Sequence, residues 1–188
     1  MDYYFAILFF HIAGAIVLFM GMGIEWMGIS RLNRASGVKQ AGDWLKVLSS
    51  LKSMYISGGV ILLVTGIYLA SAKWGYTPWI LVSFLLWLFI TFQGSVLSGK
   101  KFRNLADKLS SESALSDSEL SGFIGKLKLM NLLQSRLAIA FGAVFIMTYK
   151  PYLPGSIVVV IIAVILGIVP LMFKKKSLTA KAEEPESV

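Results

Sequence analysis

The stretch FFHIAGAIVLFMGMGIEWMG, Phe9 to Gly28, is apolar or glycine at every position except His11 and Glu25. Coiled into a helix, about 20 such residues match the hydrocarbon thickness of a bilayer. A helix is the form open to it, because backbone polar groups in lipid must be satisfied within their own segment. Steps of three and four pick out His11, Gly14, Leu18, Gly21, Glu25 and Gly28, an unbroken heptad seam. Glycines on a seam let a second helix come close, which is how membrane helices gain packing energy without a hydrophobic force between them. The seam is therefore expected to face protein, not lipid. Gly58, Gly59 and Gly66 in the next apolar stretch offer a matching face. The fold class that follows is all-α, a polytopic helix bundle in a membrane.

Composition agrees. Of 188 residues, 56% are hydrophobic and 15% charged, and the mean hydropathy is +0.74. A water-soluble fold needs more polar surface than this, whereas lipid-facing helices do not. The chain has no cysteine, which removes disulfides, thiolate metal sites, cysteine nucleophiles and lipidated cysteines. A net charge of +8 raises the question of nucleic acid. The basic residues, however, are strung along the ends of apolar segments and form no reader domain, so anionic lipid is the partner they imply.

Five spans are expected, at residues 3–29, 54–72, 79–98, 130–149 and 156–173. The fourth reaches span length only through LMNLLQS, Leu129 to Ser135. All but two of the 18 lysines and arginines then lie on one side. The exceptions are Lys73 and Lys150, in the turns AKWGYTP and YKPYLPG. By the positive-inside rule the N-terminus faces out and the C-terminus faces the cytoplasm. The start, MDYYF, has no basic n-region, so the first span is expected to remain as an uncleaved helix. Tyr3, Tyr4, Trp74, Tyr76, Trp79, Tyr149 and Tyr152 would form the outer aromatic belt, with Trp26 and Trp44 at the inner interface.

On the cytoplasmic side, the loop 99–129 opens with GKKFRNLADKL, which reads as the third helix continuing into water. After the polar break SSESALSDS, Ser116 and Glu119 fit a capping box, and the fourth helix is expected to start near Asp117. The apolar stripe Leu120, Phe123, Ile124, Leu127 and Leu129 to Met130 favours packing on a neighbouring helix or the lipid interface over a partner protein. The bundle is taken as residues 1–176, with Lys174 to Lys176 as a positive stop. Residues 177–188, SLTAKAEEPESV, are expected to be a disordered tail.

His11 and Glu25 are fourteen residues apart, about 21 Å along a helix, so each needs its own partner. A carboxylate at mid-membrane costs roughly 2.5–3.5 kcal/mol on insertion scales. Arg136 is the natural partner for Glu25, and Gln93 and Gln134 sit at similar depth. This intramembrane polar cluster reads either as a lock between helices or as a proton or ligand site, and separate snorkelling of the two charges is a third reading. His11, ~12 Å below the outer belt, reads as a neutral imidazole bonded to a threonine such as Thr65, with Trp87 or Thr91 at the same level. The other reading is a candidate ligand for haem b, or a contact to a quinone. One histidine holds haem only five-coordinate, with a methionine, or with a second subunit. A structural metal site wants several imidazoles, thiolates or carboxylates, so no metal is expected.

FFHIAGAIVLFMGMG resembles the LH-(I/V)-x-G-A opening of small bacterial membrane proteins grouped as a domain of unknown function. RLAIAFGAVFIMTYKP, Arg136 to Pro151, is similar to their late R-L-x-x-x-x-G-x-x-F-L-M-x-x-K-P segment. The opening also resembles the copper-resistance D domain and a haem-binding protoporphyrinogen oxidase family, in which a first-helix histidine precedes a glycine-rich half. The resemblance implies a multi-pass protein of a bacterial cytoplasmic (inner) membrane. It carries His11 over as a candidate ligand and implies no known activity.

No P-loop, Ser–His–Asp set, zinc motif or pair of catalytic carboxylates is present, so no catalytic residue is assigned. The function expected is non-enzymatic, a binding or assembly component of the envelope. Alternatives are haem- or quinone-linked redox work through His11, and a small transporter or channel using Glu25 and Arg136. A homo-oligomer is allowed.

Overall fold

The computed structural model describes residues 3–111 and 117–182, with side chains at 3–110 and 118–168. Helix α1 runs Tyr4–Leu32 and turns back into α2, Val38–Leu69, which widens into a π-helical stretch at Ala70–Trp74. Gly75 follows at φ 61, a left-handed conformation that glycine adopts without a Cβ clash. Helix α3, Pro78–Phe92, starts on a proline, where a missing N–H removes no helical bond. A second π-helical stretch, Gln93–Ser98, leads directly into α4, Gly99–Ser111. Helices α5, Asp117–Leu127, α6, Leu129–Tyr149, and α7, Leu153–Ala182, complete the chain. Among the described residues four helical runs are long and apolar enough to cross a membrane: Tyr4–Leu32, Val38–Trp74, Pro78–Ser110 and Ser118–Tyr149, the last of them broken at Lys128. The apolar part described for α7, Leu153–Ile168, is shorter. The molecule is an all-helical polytopic bundle.

Helices α1 and α2 pair antiparallel along the glycine seam. A Cβ at Gly14 would lie 3.3 Å from the Gly58 carbonyl oxygen, and one at Gly58 would lie 2.9 Å from Leu18 Cδ2. Further along the same register, a Cβ at Gly21 would lie 3.3 Å from the Tyr55 ring and one at Gly28 would lie 2.7 Å from Leu48 Cδ2. At the other end, a Cβ at Gly66 would lie 3.2 Å from His11 Cε1. Gly59 points elsewhere. A Cβ there would lie 3.9 Å from the Trp87 ring of α3, because adjacent residues on a helix face about 100° apart.

Helix α6 is the hub. It packs on α7 through Gly142 against Ala163, and on α3 through a core of Leu86, Ile139, Ala143 and Ile146. It meets α1 through Phe19 and Phe141, whose rings are 5.0 Å apart. The end of the bundle opposite Trp74 holds a larger core, in which Leu32, Ala41, Leu45, Leu48, Leu105 and Leu120 are buried together.

That core accounts for how the segments around it fold. The segment between the first two spans is helical from Val38, because Ala41, Leu45, Leu48 and Leu51 recur at helical spacing and face the core. The stripe of α5 packs into it through Leu120 and Ile124. The helix expected to run unbroken from Asp117 is interrupted at Lys128, φ 49, where Lys101 Nζ donates to the freed Leu127 carbonyl. The loop 99–129 is thus largely two packed helices. The stretch expected as a tail from residue 177 is helical through Ala182, in keeping with Leu, Ala and Lys, which are good helix formers. Ser116 of the expected capping box and residues 183–188 lie outside the described residues.

Candidate functional site

The seam of α1 brings Glu25 to the α2–α6 side, where the carboxylate is 2% exposed. Arg136, on the hub helix α6 and 3% exposed, donates through Nη2 to Glu25 Oε1. Tyr55 of α2 donates its hydroxyl proton to the other oxygen, Oε2, at 2.5 Å. The same tyrosine ring faces the guanidinium, with Arg136 Cζ 5.9 Å from its centroid. Both carboxylate oxygens are therefore held by protein donors from two different helices. A lone charge in this setting would be strongly disfavoured, whereas a paired, hydrogen-bonded one is tolerated.

The π-helical stretch supplies the other wall. A Cβ at Gly94 would lie 2.8 Å from Arg136 Nη1, so the guanidinium rests where only glycine leaves room. Beside it, Gln93 Nε2 donates to Ser135 Oγ at 3.0 Å, and Ser135 Oγ donates to the Leu132 carbonyl at 2.9 Å. One donor, Arg136 Nε, and one acceptor, Gln93 Oε1, are buried without a partner among the described residues. Single π turns recur at functional sites because they displace a side chain or carbonyl by one extra residue. Gln134, half-buried, makes no hydrogen bond to Glu25, Arg136 or Gln93 among the described residues.

His11 stands well away from this cluster, on α1 against α2. Its Nδ1 lies 2.9 Å from Thr65 Oγ1, and that oxygen lies 2.5 Å from the Ile61 carbonyl oxygen. Two oxygens so close require the hydroxyl proton between them, so Thr65 donates to Ile61 and must accept from His11. The imidazole is thereby assigned as the Nδ1–H tautomer, with a lone pair left on Nε2. Trp87 and Thr91 do not partner it; Trp87 Nε1 is buried without a hydrogen bond among the described residues. No group of three His, Asp or Glu among the described residues could hold a metal ion.

Sequence reading placed Glu25, Arg136 and Gln93 at one depth but missed Tyr55, Ser135 and Gly94. The signal for Tyr55 was its place on the face that meets the seam: with Leu18 against Gly58 in an antiparallel register, Gly21 falls opposite Tyr55, one turn of α1 from Glu25. Gly94 carried no such signal, because its role depends on the π-helical widening.

No curated protein and no solved structure matches the chain. Kinship with the copper-resistance D domain or the haem-binding oxidases is not shown by these comparisons. A family model does match, over residues 5–151, from the first turn of α1 past the end of α6 and stopping short of α7. The chain belongs to the family described as predicted integral membrane protein (DUF2269).

Proposed function

We propose that the protein is a non-enzymatic binding or assembly component of the bacterial cytoplasmic membrane. In this reading it crosses five times, N-out and C-in, with its basic inner face on anionic lipids. One observation carries it: both oxygens of the buried intramembrane carboxylate are held from within, by Arg136 and Tyr55, on a residue only 2% exposed. A transport or proton site keeps an exchangeable position at its charged group, and a helix lock does not. The experiment is reconstitution in liposomes with an entrapped pH dye, beside unfolding of Glu25→Gln in detergent. No flux together with a destabilised variant is the expected result. Flux in the wild type that Glu25→Gln abolishes, with folding intact, would replace this reading with the transporter.

A second reading, haem- or quinone-linked redox work, has one observation in its favour: the His11 tautomer leaves Nε2 free to act as ligand or acceptor. The fit is partial, since the chain offers a single imidazole. A visible spectrum of the protein from haem-replete cells decides the haem form of it. A Soret band lost in His11→Ala would establish it, and a colourless wild type would remove it.

A further inference from the structure

The two lysines that break the positive-inside pattern, Lys73 and Lys150, converge on one indole. Lys73 comes from the π-helical end of α2 and Lys150 from the end of α6, yet their Nζ atoms lie 5.6 and 4.8 Å from the Trp74 ring centroid. Lys73 also lies 5.1 Å from the Tyr4 ring centroid, and Trp74 Nε1 donates to Tyr4 Oη at 3.5 Å. Trp79 closes the group edge-on to Trp74, with centroids 5.6 Å apart.

Attraction to the ring faces explains each lysine singly. It does not explain the pair, because two ammonium groups on one ring repel each other. Among the described residues neither has a carboxylate partner. Lys150 also occupies the left-handed position that closes α6, at φ 52, where glycine is the usual residue. Its N–H makes the closing bond to the Ile146 carbonyl at 2.8 Å, a bond that any non-proline residue could supply. The side chain is therefore the feature that glycine could not replace. Both ammonium groups are on exposed residues, and tyrosine and tryptophan rings of this kind sit at the depth of lipid headgroups. Aromatic rings alone would suit a quaternary ammonium, but two fixed cations on them exclude it.

We infer that Lys73, Lys150, Trp74 and Tyr4 form a binding site for the phosphate of an anionic lipid headgroup. The phosphate bridges the two ammonium groups and the rings cover the adjoining glycerol. Its assignment to the outer leaflet rests on the N-out orientation proposed above, and the site itself does not.

The test uses the full-length protein in mild detergent, where leaflet and orientation play no part. Native mass spectrometry and thermal unfolding are run with added phosphatidylglycerol, phosphatidylcholine or inorganic phosphate. Phosphatidylglycerol is expected to be retained and to raise the melting temperature, and the other two are not. Lys73→Gln/Lys150→Gln should retain one phosphatidylglycerol fewer and lose much of the rise, while Lys73→Arg/Lys150→Arg should keep both. A glutamine variant with the wild-type lipid count and rise would overturn the site. An equal rise with inorganic phosphate would overturn the lipid assignment.

Discussion

Glu25 and Arg136 stand 111 positions apart in the chain and form a salt bridge in which each side chain is 3% exposed. The pair ties the first helix to the hub helix. Because Tyr55 holds the second carboxylate oxygen, one charged node links α1, α2 and α6, in addition to their apolar contacts. Removal of one partner would strand a charge, so the loss should exceed the net worth of the pair. Glu25→Ala and Arg136→Ala should each destabilise the protein in detergent by roughly 3–5 kcal/mol, and the double variant by clearly less than their sum. Urea or thermal unfolding of the four proteins in the cycle measures it; additive losses would show that the pair is not coupled.

Tyr55→Phe keeps the ring beside Arg136 and removes only the hydroxyl. A hydrogen bond to a charged acceptor is worth about 1.5–3 kcal/mol, so the loss should fall in that range. In a Glu25→Gln background the same change should matter less. An unchanged melting temperature for Tyr55→Phe would mean that water replaces the phenol.

Gly58 and Gly59 give a contrast between neighbours. Alanine at 58 would meet Leu18 Cδ2 at 2.9 Å and the Gly14 carbonyl oxygen at 3.2 Å, whereas alanine at 59 makes only ordinary contact at 3.9 Å. Gly58→Ala should cost about 1–3 kcal/mol by overpacking. Gly59→Ala should be neutral, or stabilising by up to roughly 1 kcal/mol through helix propensity. Equal effects at the two positions would contradict the α1–α2 register.

Thr65→Val removes the acceptor that holds His11 Nδ1–H. The stability cost should be about 1 kcal/mol. The sharper readout is nitrogen NMR of the single histidine. One fixed tautomer, protonated at Nδ1, is expected in the wild type and a mixture in the variant. Protonation at Nε2 in the wild type would reverse the direction assigned to the Thr65 hydroxyl.

Local pattern was enough to read the helices and the seam. Apolar runs of span length have one backbone solution in lipid, and the steps of three and four from His11 to Gly28 mark a face whatever lies opposite. The depth of Glu25, Arg136 and Gln93 follows from counting residues inward from the basic and aromatic ends. The amphipathic start of α2 is legible in the same way, through Ala41, Leu45 and Leu48, although its charges keep it outside a span. What only tertiary structure decided is which groups touch. Tyr55 is chosen by the α1–α2 register, and Gly94 by a π-helical turn that no residue type announces. The meeting of Lys73 and Lys150 on Trp74 depends on how the ends of α2 and α6 are placed against each other. Periodicity is a property of one helix, whereas hydrogen bonds and ion pairs at a few ångströms depend on the relative placement of two, which the sequence of either one leaves open.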